Sequence, residues 1–371
     1  MKLIALKDVC KINMGQSPNS SSYNDYGDGM PFFQGNADFG ERYPITRVWC
    51  NTPTKIAQAE DILISGRAPI GALNYAKEEC CIGRGLAAIT PDRNKVSQDF
   101  IYWALKGKKA ELNDKGNGST FKAISRKVLE ETMIPDINFE QQHKCAENLE
   151  KIYGIIQNRR KELLALDDLI KARFVEMFGD MIINPNGWGK VLLGEACDVR
   201  DGTHDSPKYF TDGYPLVTSK NVTGGKIDFA DCSLICEEDY NKINQRSKVD
   251  MGDILMPMIG TVGNPVIVDI EAEFAIKNVA LIKFRENSTV INSFVKALLE
   301  SDYFDRAVIS KVRGGTQKFI SLGDIRKLEI CLPPIAVQEQ FSDFAKQVDK
   351  SKVAVQKALD ETQTLFDSLM Q

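Results

Sequence analysis

Residues 139–178 read FEQQHKCAENLEKIYGIIQNRRKELLALDDLIKARFVEMF, and residues 336–370 read AVQEQFSDFAKQVDKSKVAVQKALDETQTLFDSLM. Neither stretch holds a proline, and in both the apolar positions recur in alternating steps of four and three. The first seam is Cys145, Leu149, Ile152, Ile156, Arg159, Leu163, Leu166, Ile170, Arg173 and Met177. The second is Phe341, Phe344, Val348, Ser351, Val355, Ala358, Thr362, Leu365 and Leu369. That spacing marks long helices that pair along one stripe. At ~1.5 Å per residue, about 35 residues span roughly 50 Å. Gly154 interrupts the first helix and costs it about 1 kcal/mol, which the partner helix is expected to offset.

Ahead of each helix the chain is written twice. Leu6-Lys7-Asp8-Val9-Cys10 aligns with Leu193-Gly194-Glu195-Ala196-Cys197, and a turn follows each, at Gly15 to Pro18 and Gly202 to Pro207. Asp61-Ile62-Leu63 returns as Asp253-Ile254-Leu255, with Gly71 and Gly263 at equal distance beyond. The segment Ser119 to Ser125 matches Gly315 to Ser321, then Pro135 matches Pro334 and Glu140-Gln141 matches Glu339-Gln340. The offset climbs from 187 at Leu6 through 192 at Asp61 and 196 at Thr120 to 199 at Gln141. A smooth drift is what small loop insertions leave between two copies of one fold. At Phe174 and Phe366 the offset is back to 192, so the first helix is read as carrying seven extra residues, one heptad.

Within each copy, short β-type runs such as Ala87–Thr90 and Val266–Val268 sit between Gly, Pro, Asn and Asp. A short helix follows, near 100–106 and near 294–300. The fold class read from this is α/β (α+β): two tandem mixed α/β domains, separated and followed by long α-helices in an antiparallel coiled coil. Antiparallel pairing is expected because copies related by a pseudo-two-fold run the helices in opposite directions. The boundaries are 1–138, helix 139–180, 181–335 and helix 336–371.

Composition narrows the function. The 371 residues are 43% hydrophobic with a net charge of −4. No apolar run reaches the roughly 18–20 residues of a membrane span, and the first residues do not read as a signal peptide. Nine cysteines without a CxxC pair suggest reduced thiols in a cytoplasm. The modest acidity argues against a protein that coats DNA, but local patches matter more than the sum. With only His143 and His204, no hydrolase triad forms; His143 reads as a solvated helix residue. P-loop and GxGxxG motifs are missing, and Asn184-Pro185-Asn186-Gly187 reads as a turn after the first helix. The chain reads as a binder without its own catalyst and without a metal site.

The local text resembles that of Type I restriction-modification specificity subunits. Asp201-Gly202-Thr203-His204-Asp205-Ser206-Pro207 is similar to the family's Asp-Gly-Thr-His-x-Thr-Pro segment. Gly252-Asp253-Ile254-Leu255, Gly314 to Ile320, and Pro333 to Gln340 leading into the second helix resemble it too. In the first half, Gly15-Gln16-Ser17-Pro18 departs from that text. The resemblance implies a non-catalytic subunit whose two target recognition domains read a bipartite, asymmetric site on double-stranded DNA. It implies two methyltransferase subunits and restriction motor subunits as partners. S-adenosylmethionine, ATP and magnesium would reside in those partners. Two alternatives compete: a scaffold carrying two ligand-binding domains, which would show no salt-dependent DNA binding, and a pair of nuclease domains, which the missing carboxylate–Lys constellation opposes.

Base edges are read by donors and acceptors on loops, and phosphates by Lys, Arg and backbone N–H groups. Four loop regions per copy qualify. The first is the opening turn, with Gln16 and Ser17 in one copy and Thr203, His204 and Ser206 in the other. The second pairs Gln34 and Asn36 with Ser219, Lys220 and Asn221. The third joins Arg67 and Arg84, matched by Thr261 with Lys277 and Asn278. The fourth is Thr120 and Lys122 against Thr316, Gln317 and Lys318.

Overall fold

The computed structural model describes residues 2–117, 122–260, 262–311 and 319–370. The chain forms two compact units, Met1–Arg159 with Ala358–Gln371, and Arg160–Lys357. Each holds one α/β domain and a part of both long helices, α1 (Phe139–Phe178) and α2 (Ile335–Leu369).

In the first unit, β1 (Cys10–Met14), β2 (Ile62–Ser65), β3 (Leu73–Tyr75) and β4 (Leu86–Pro91) form an antiparallel sheet in the order β1-β4-β2-β3. The run Ile62-Leu63-Ile64-Ser65 is buried on both sides, as near-continuous apolar strands require. Phe33, Leu63, Ile82 and Ala88 belong to one core cluster. Met30–Phe33 runs parallel to Cys80–Ile82 in a second sheet. Leu3–Ala5 pairs with Met133–Pro135 and ties the start of the domain to the entry of α1. The helix Gln98–Gly107 buries Phe100, Ile101, Trp103 and Leu105.

The second unit repeats the plan. Strands β5 (Asp198–Asp201), β6 (Ile254–Pro257), β7 (Val266–Ile267) and β8 (Val279–Lys283) take the order β5-β8-β6-β7. Tyr214–Val217 again runs parallel to Ala275–Ile276, and Lys190–Leu192 pairs with Glu329–Cys331 before α2. The helix Asn292–Leu299 buries Phe294, Val295, Leu298 and Leu299. The Asn184 side chain closes the expected turn, accepting from Trp188 N–H at 3.1 Å and donating to Trp188 O at 2.7 Å.

Helix pairing is antiparallel in each unit. In the first, Tyr153 and Phe366 rings lie 6.0 Å apart, and Arg159 donates to Ala358 O and Thr362 Oγ1. In the second, Asp167 meets Lys352 at 2.6 Å, the Arg173 guanidinium lies over Phe344, and Phe174 packs edge-on to Phe341.

Three expectations about the helices are corrected. First, Ser351 is exposed in the middle of α2, and toward the helix ends the seam drifts: Cys145, Leu365 and Leu369 are exposed, while Ala146, Leu359 and Phe366 are buried. There the helices face their α/β domains as well as each other, and Phe366 packs on Trp103 of the domain. Second, Gly154 is not there to make room: α1 runs through it unbroken, and a Cβ at that position would meet no described atom within 4 Å. Third, the inserted heptad does not hold. Buried Gln142 and Gln338 are the equivalent glutamines, rather than Gln141 and Gln340. Their offset is 196, as the bonds of the two side chains show, so the seven-residue difference counted from Gln141 and Gln340 does not stand.

Candidate functional site

The first unit gathers its candidate loops around a glycine turn. Gly15 N–H donates to Leu86 O at 2.9 Å and Gln16 N–H to Ile82 O at 3.0 Å. A Cβ at Gly15 would stand 2.2 Å from Gly83 O, so only glycine fits. Gly83 N–H donates to Phe33 O (2.8 Å), Gly85 N–H to Gln34 O (3.1 Å) and Gly66 N–H to Gly85 O (2.8 Å). Ile124 N–H then donates to Gly66 O (2.9 Å) and Ala68 N–H to Lys122 O (3.3 Å). This backbone chain places the loops of Gln34, Arg67, Arg84 and Lys122 together, with all four residues exposed. Ser17 Oγ accepts from Gln34 Nε2 at 2.9 Å and from Arg84 N–H at 3.2 Å. Asn36 is half-buried at the start of a 3-10 turn, whose Asp38 carboxylate accepts from Gln34 N–H at 2.8 Å. Thr120 lies outside the described residues.

The second unit repeats four of these backbone bonds with different side chains. Gly202 N–H donates to Val279 O (3.2 Å), Thr203 N–H to Ile276 O (3.0 Å) and Lys277 N–H to Val217 O (2.9 Å). Ile320 N–H donates to Met258 O (2.9 Å), as Ile124 does to Gly66. Ile259 bridges Phe319 as Arg67 bridges Ala123. The copies thus agree in backbone and differ in chemistry: the Arg67 position holds Ile259. Ser219 Oγ donates to Asn278 O at 3.2 Å, Lys277 Nζ donates to Ser206 Oγ at 2.6 Å, and Thr203 Oγ1 accepts from Asp205 N–H at 3.1 Å. Lys220 is exposed. Thr261, Thr316, Gln317 and Lys318 lie outside the described residues.

His204 is held on both sides. Its Nδ1 lies 2.7 Å from Asn278 Oδ1 and its Nε2 lies 2.8 Å from Asp201 Oδ2. These bonds, that to Asn278 first, raise its pKa above the ordinary value, while neighbouring Arg246 opposes them. Asp201 is buried and also accepts from Arg246. Asp201 and Arg246 are the partners that sequence reading missed. Arg246 lies in the last turn of the helix Glu237–Ser247, which the periodicity did not reveal because it is polar over most of its surface. Its one usable signal was the acidic first turn, Glu237, Glu238 and Asp239, with Arg246 in the last turn, matching the helix dipole.

Asn221 is corrected. It is only 6% exposed, and its Oδ1 accepts from Thr218 N–H (2.9 Å) and Thr218 Oγ1 (2.8 Å) while its Nδ2 donates to Asp228 O (3.1 Å). With both lone pairs of Oδ1 and one Nδ2 hydrogen engaged, the buried amide closes the turn that carries Ser219 and Lys220. Beside that turn lies a cleft of about 580 Å³ lined by Tyr209, Lys220, Asp231, Lys277 and Asn278 among others. These groups line the cleft with donors and acceptors. His143 is exposed on α1.

Among the described residues, no helix is long and apolar enough to cross a membrane. The profile of the Type I restriction modification DNA specificity domain matches residues 1–166 and 185–362. A putative type I restriction enzyme MjaX specificity subunit of Methanocaldococcus jannaschii is 47% identical over 152 residues, 41% of this chain and 36% of that protein. The chain therefore spans about a third of that relative. A second protein of the same organism, the type I restriction enzyme MjaIX specificity subunit, is 23% identical over 98% of this chain and 90% of its own. The crystal structure of a Type-I restriction-modification system S subunit from M. genitalium superposes with a TM-score of 0.59 at 16% identity, covering 100% of this chain and 94% of its own, and so shares the fold. With both halves matched, the chain belongs to the Type I restriction-modification DNA specificity family.

Proposed function

We propose that this chain reads a bipartite, asymmetric site on double-stranded DNA, one half-site per unit, and directs adenine methylation or restriction by partner subunits. The carrying observation is the loop cluster built twice on one backbone plan with different side chains: Gln34, Arg67 and Arg84 in one unit, His204, Ser219, Lys220 and Asn278 in the other. Like backbones meet equivalent stretches of duplex, and unlike side chains select different bases. The chain itself is non-catalytic and acts in the cytoplasm. Its partners are two methyltransferase subunits and restriction motor subunits, which hold S-adenosylmethionine, ATP and magnesium. The test is to exchange residues 2–135 for those of a relative, co-express the chain with its methyltransferase, and map modified adenines. One half-site should change and the other stay; two changed half-sites, or none, would overturn modular reading.

A further inference from the structure

Both ring nitrogens of His204 face oxygens, the amide oxygen of Asn278 at 2.7 Å and the carboxylate of Asp201 at 2.8 Å. A neutral imidazole donates from one nitrogen only; the imidazolium donates from both. Asp201 closes β5 and Asn278 lies between the strand Ala275–Ile276 and β8, so the ring joins two segments of the domain. Asn278 sits at φ +55°, a left-handed conformation that asparagine adopts more readily than most residues. Its carbonyl also accepts from Ser219 Oγ, so one residue links the opening turn to the loop of Ser219 and Lys220.

We propose that His204 is a positioning residue: as imidazolium it clamps the opening turn to Asn278, and this clamp holds the second unit's loops in their DNA-reading arrangement. The inference rests on the DNA reading given under Proposed function. Its consequence is an affinity that falls as the ring loses its proton. The charged groups facing His204 are Asp201 on β5 and Arg246 on the helix Glu237–Ser247. Asp205 follows it in the turn, Lys277 adjoins Asn278 and is bonded to Ser206, and Asp239 and Lys242 line the neighbouring cleft of about 180 Å³. The buried carboxylate of Asp201 favours the cation and Arg246 opposes it. The bond to Asn278 first, then that to Asp201, raises the ring's pKa against burial and Arg246. The sign follows: the clamp is complete at low pH and is lost as pH rises through the midpoint of the folded protein.

The test uses the full chain. With ¹⁵N-histidine labelling and a His143→Gln variant, the remaining imidazole should titrate above the ordinary ~6.5 with both nitrogens protonated below that midpoint. A midpoint at or below the ordinary value, as a neutral ring accepting from an inverted Asn278 amide would give, overturns the clamp. The second arm measures affinity at fixed salt for a duplex selected by the full chain from a random library. Affinity should fall about tenfold between pH ~6 and ~8.5 in the parent protein and in His143→Gln, the loss of a charge-assisted bond. It should be flat and low in His204→Gln, and flat and high in His204→Arg, which keeps a cationic donor at every pH. A His204→Gln profile that tracks the parent overturns the proposal. A selection that returns no sequence at any pH overturns the DNA reading and this inference with it, and the titration midpoint tells that failure from failure of the clamp.

Discussion

Gln142 and Gln338 do the same work in the two units. Each is buried, accepts at Oε1 from the N-cap residue of a short helix and donates at Nε2 to the carbonyl five residues back. Gln142 accepts from Ser97 N–H at 2.7 Å and donates to Ile137 O at 2.8 Å. Gln338 accepts from Ile291 N–H at 3.0 Å and donates to Pro333 O at 2.9 Å and Thr289 O at 3.0 Å. One side chain thus fixes where each long helix leaves its domain. Replacing Gln338 by Ala strands a buried helix-start N–H and two carbonyls. The expected loss is on the order of 2–3 kcal/mol, read as a lower urea midpoint. A loss under about 0.5 kcal/mol would mean that water replaces the amide at little cost.

Gly154 offers the opposite outcome. It lies inside α1, and an added Cβ meets no described atom within 4 Å. Gly154→Ala should therefore stabilise the chain by roughly 0.5–1 kcal/mol, through lower backbone entropy in the unfolded state and better helix propensity. A destabilised variant would show that the helix needs the gap, for example to accommodate a partner.

The heptads and the duplication were legible because they depend on period and order alone. Their register was not. Gln141 and Gln142 are adjacent letters, and only burial tells which one holds the domain. Cys145 and Ala146 pose the same problem, because a helix turning from its partner toward its domain shifts its buried face by about 100° per residue. The contact of Asp201 with Arg246 spans 45 residues and leaves no local spacing to read. Asn221 carries the residue type of a base reader and the position of a turn closer. A sequence offers both readings, and the hydrogen bonds to Thr218 and Asp228 select the second.

The opening turns should be intolerant of any side chain. A Cβ at Gly202 would stand 2.1 Å from Ile276 O, a backbone atom in the parallel-paired strand that cannot step aside cheaply. Gly202→Ala should cost on the order of 2–4 kcal/mol, seen as a lower urea midpoint with an unchanged m-value. Gly15→Ala should do the same in the first unit, where the distance is 2.2 Å. A variant as stable as the parent would show that the turn can open without disturbing the sheet.

Affinity and specificity should separate between an exposed lysine and an exposed amide. Lys220 is exposed at the tip of the turn that Asn221 closes, where a point charge suits a phosphate. Gln34 is exposed too, and its carboxamide is aligned by Ser17, as a bidentate base contact requires. Lys220→Ala should weaken binding to every duplex alike and reduce the slope of log K against log salt by about 0.9, one phosphate's worth of released counterions. Gln34→Ala should leave that slope unchanged, relax one position of one half-site, and lower affinity for the preferred sequence by about 1–3 kcal/mol. Salt titrations on the selected duplex and on single-base variants of both half-sites measure both quantities. If Lys220→Ala altered the preferred sequence while the slope held, or Gln34→Ala changed the slope alone, the two roles would be reversed, and the turn around Lys220 would be the part of the second unit that reads bases.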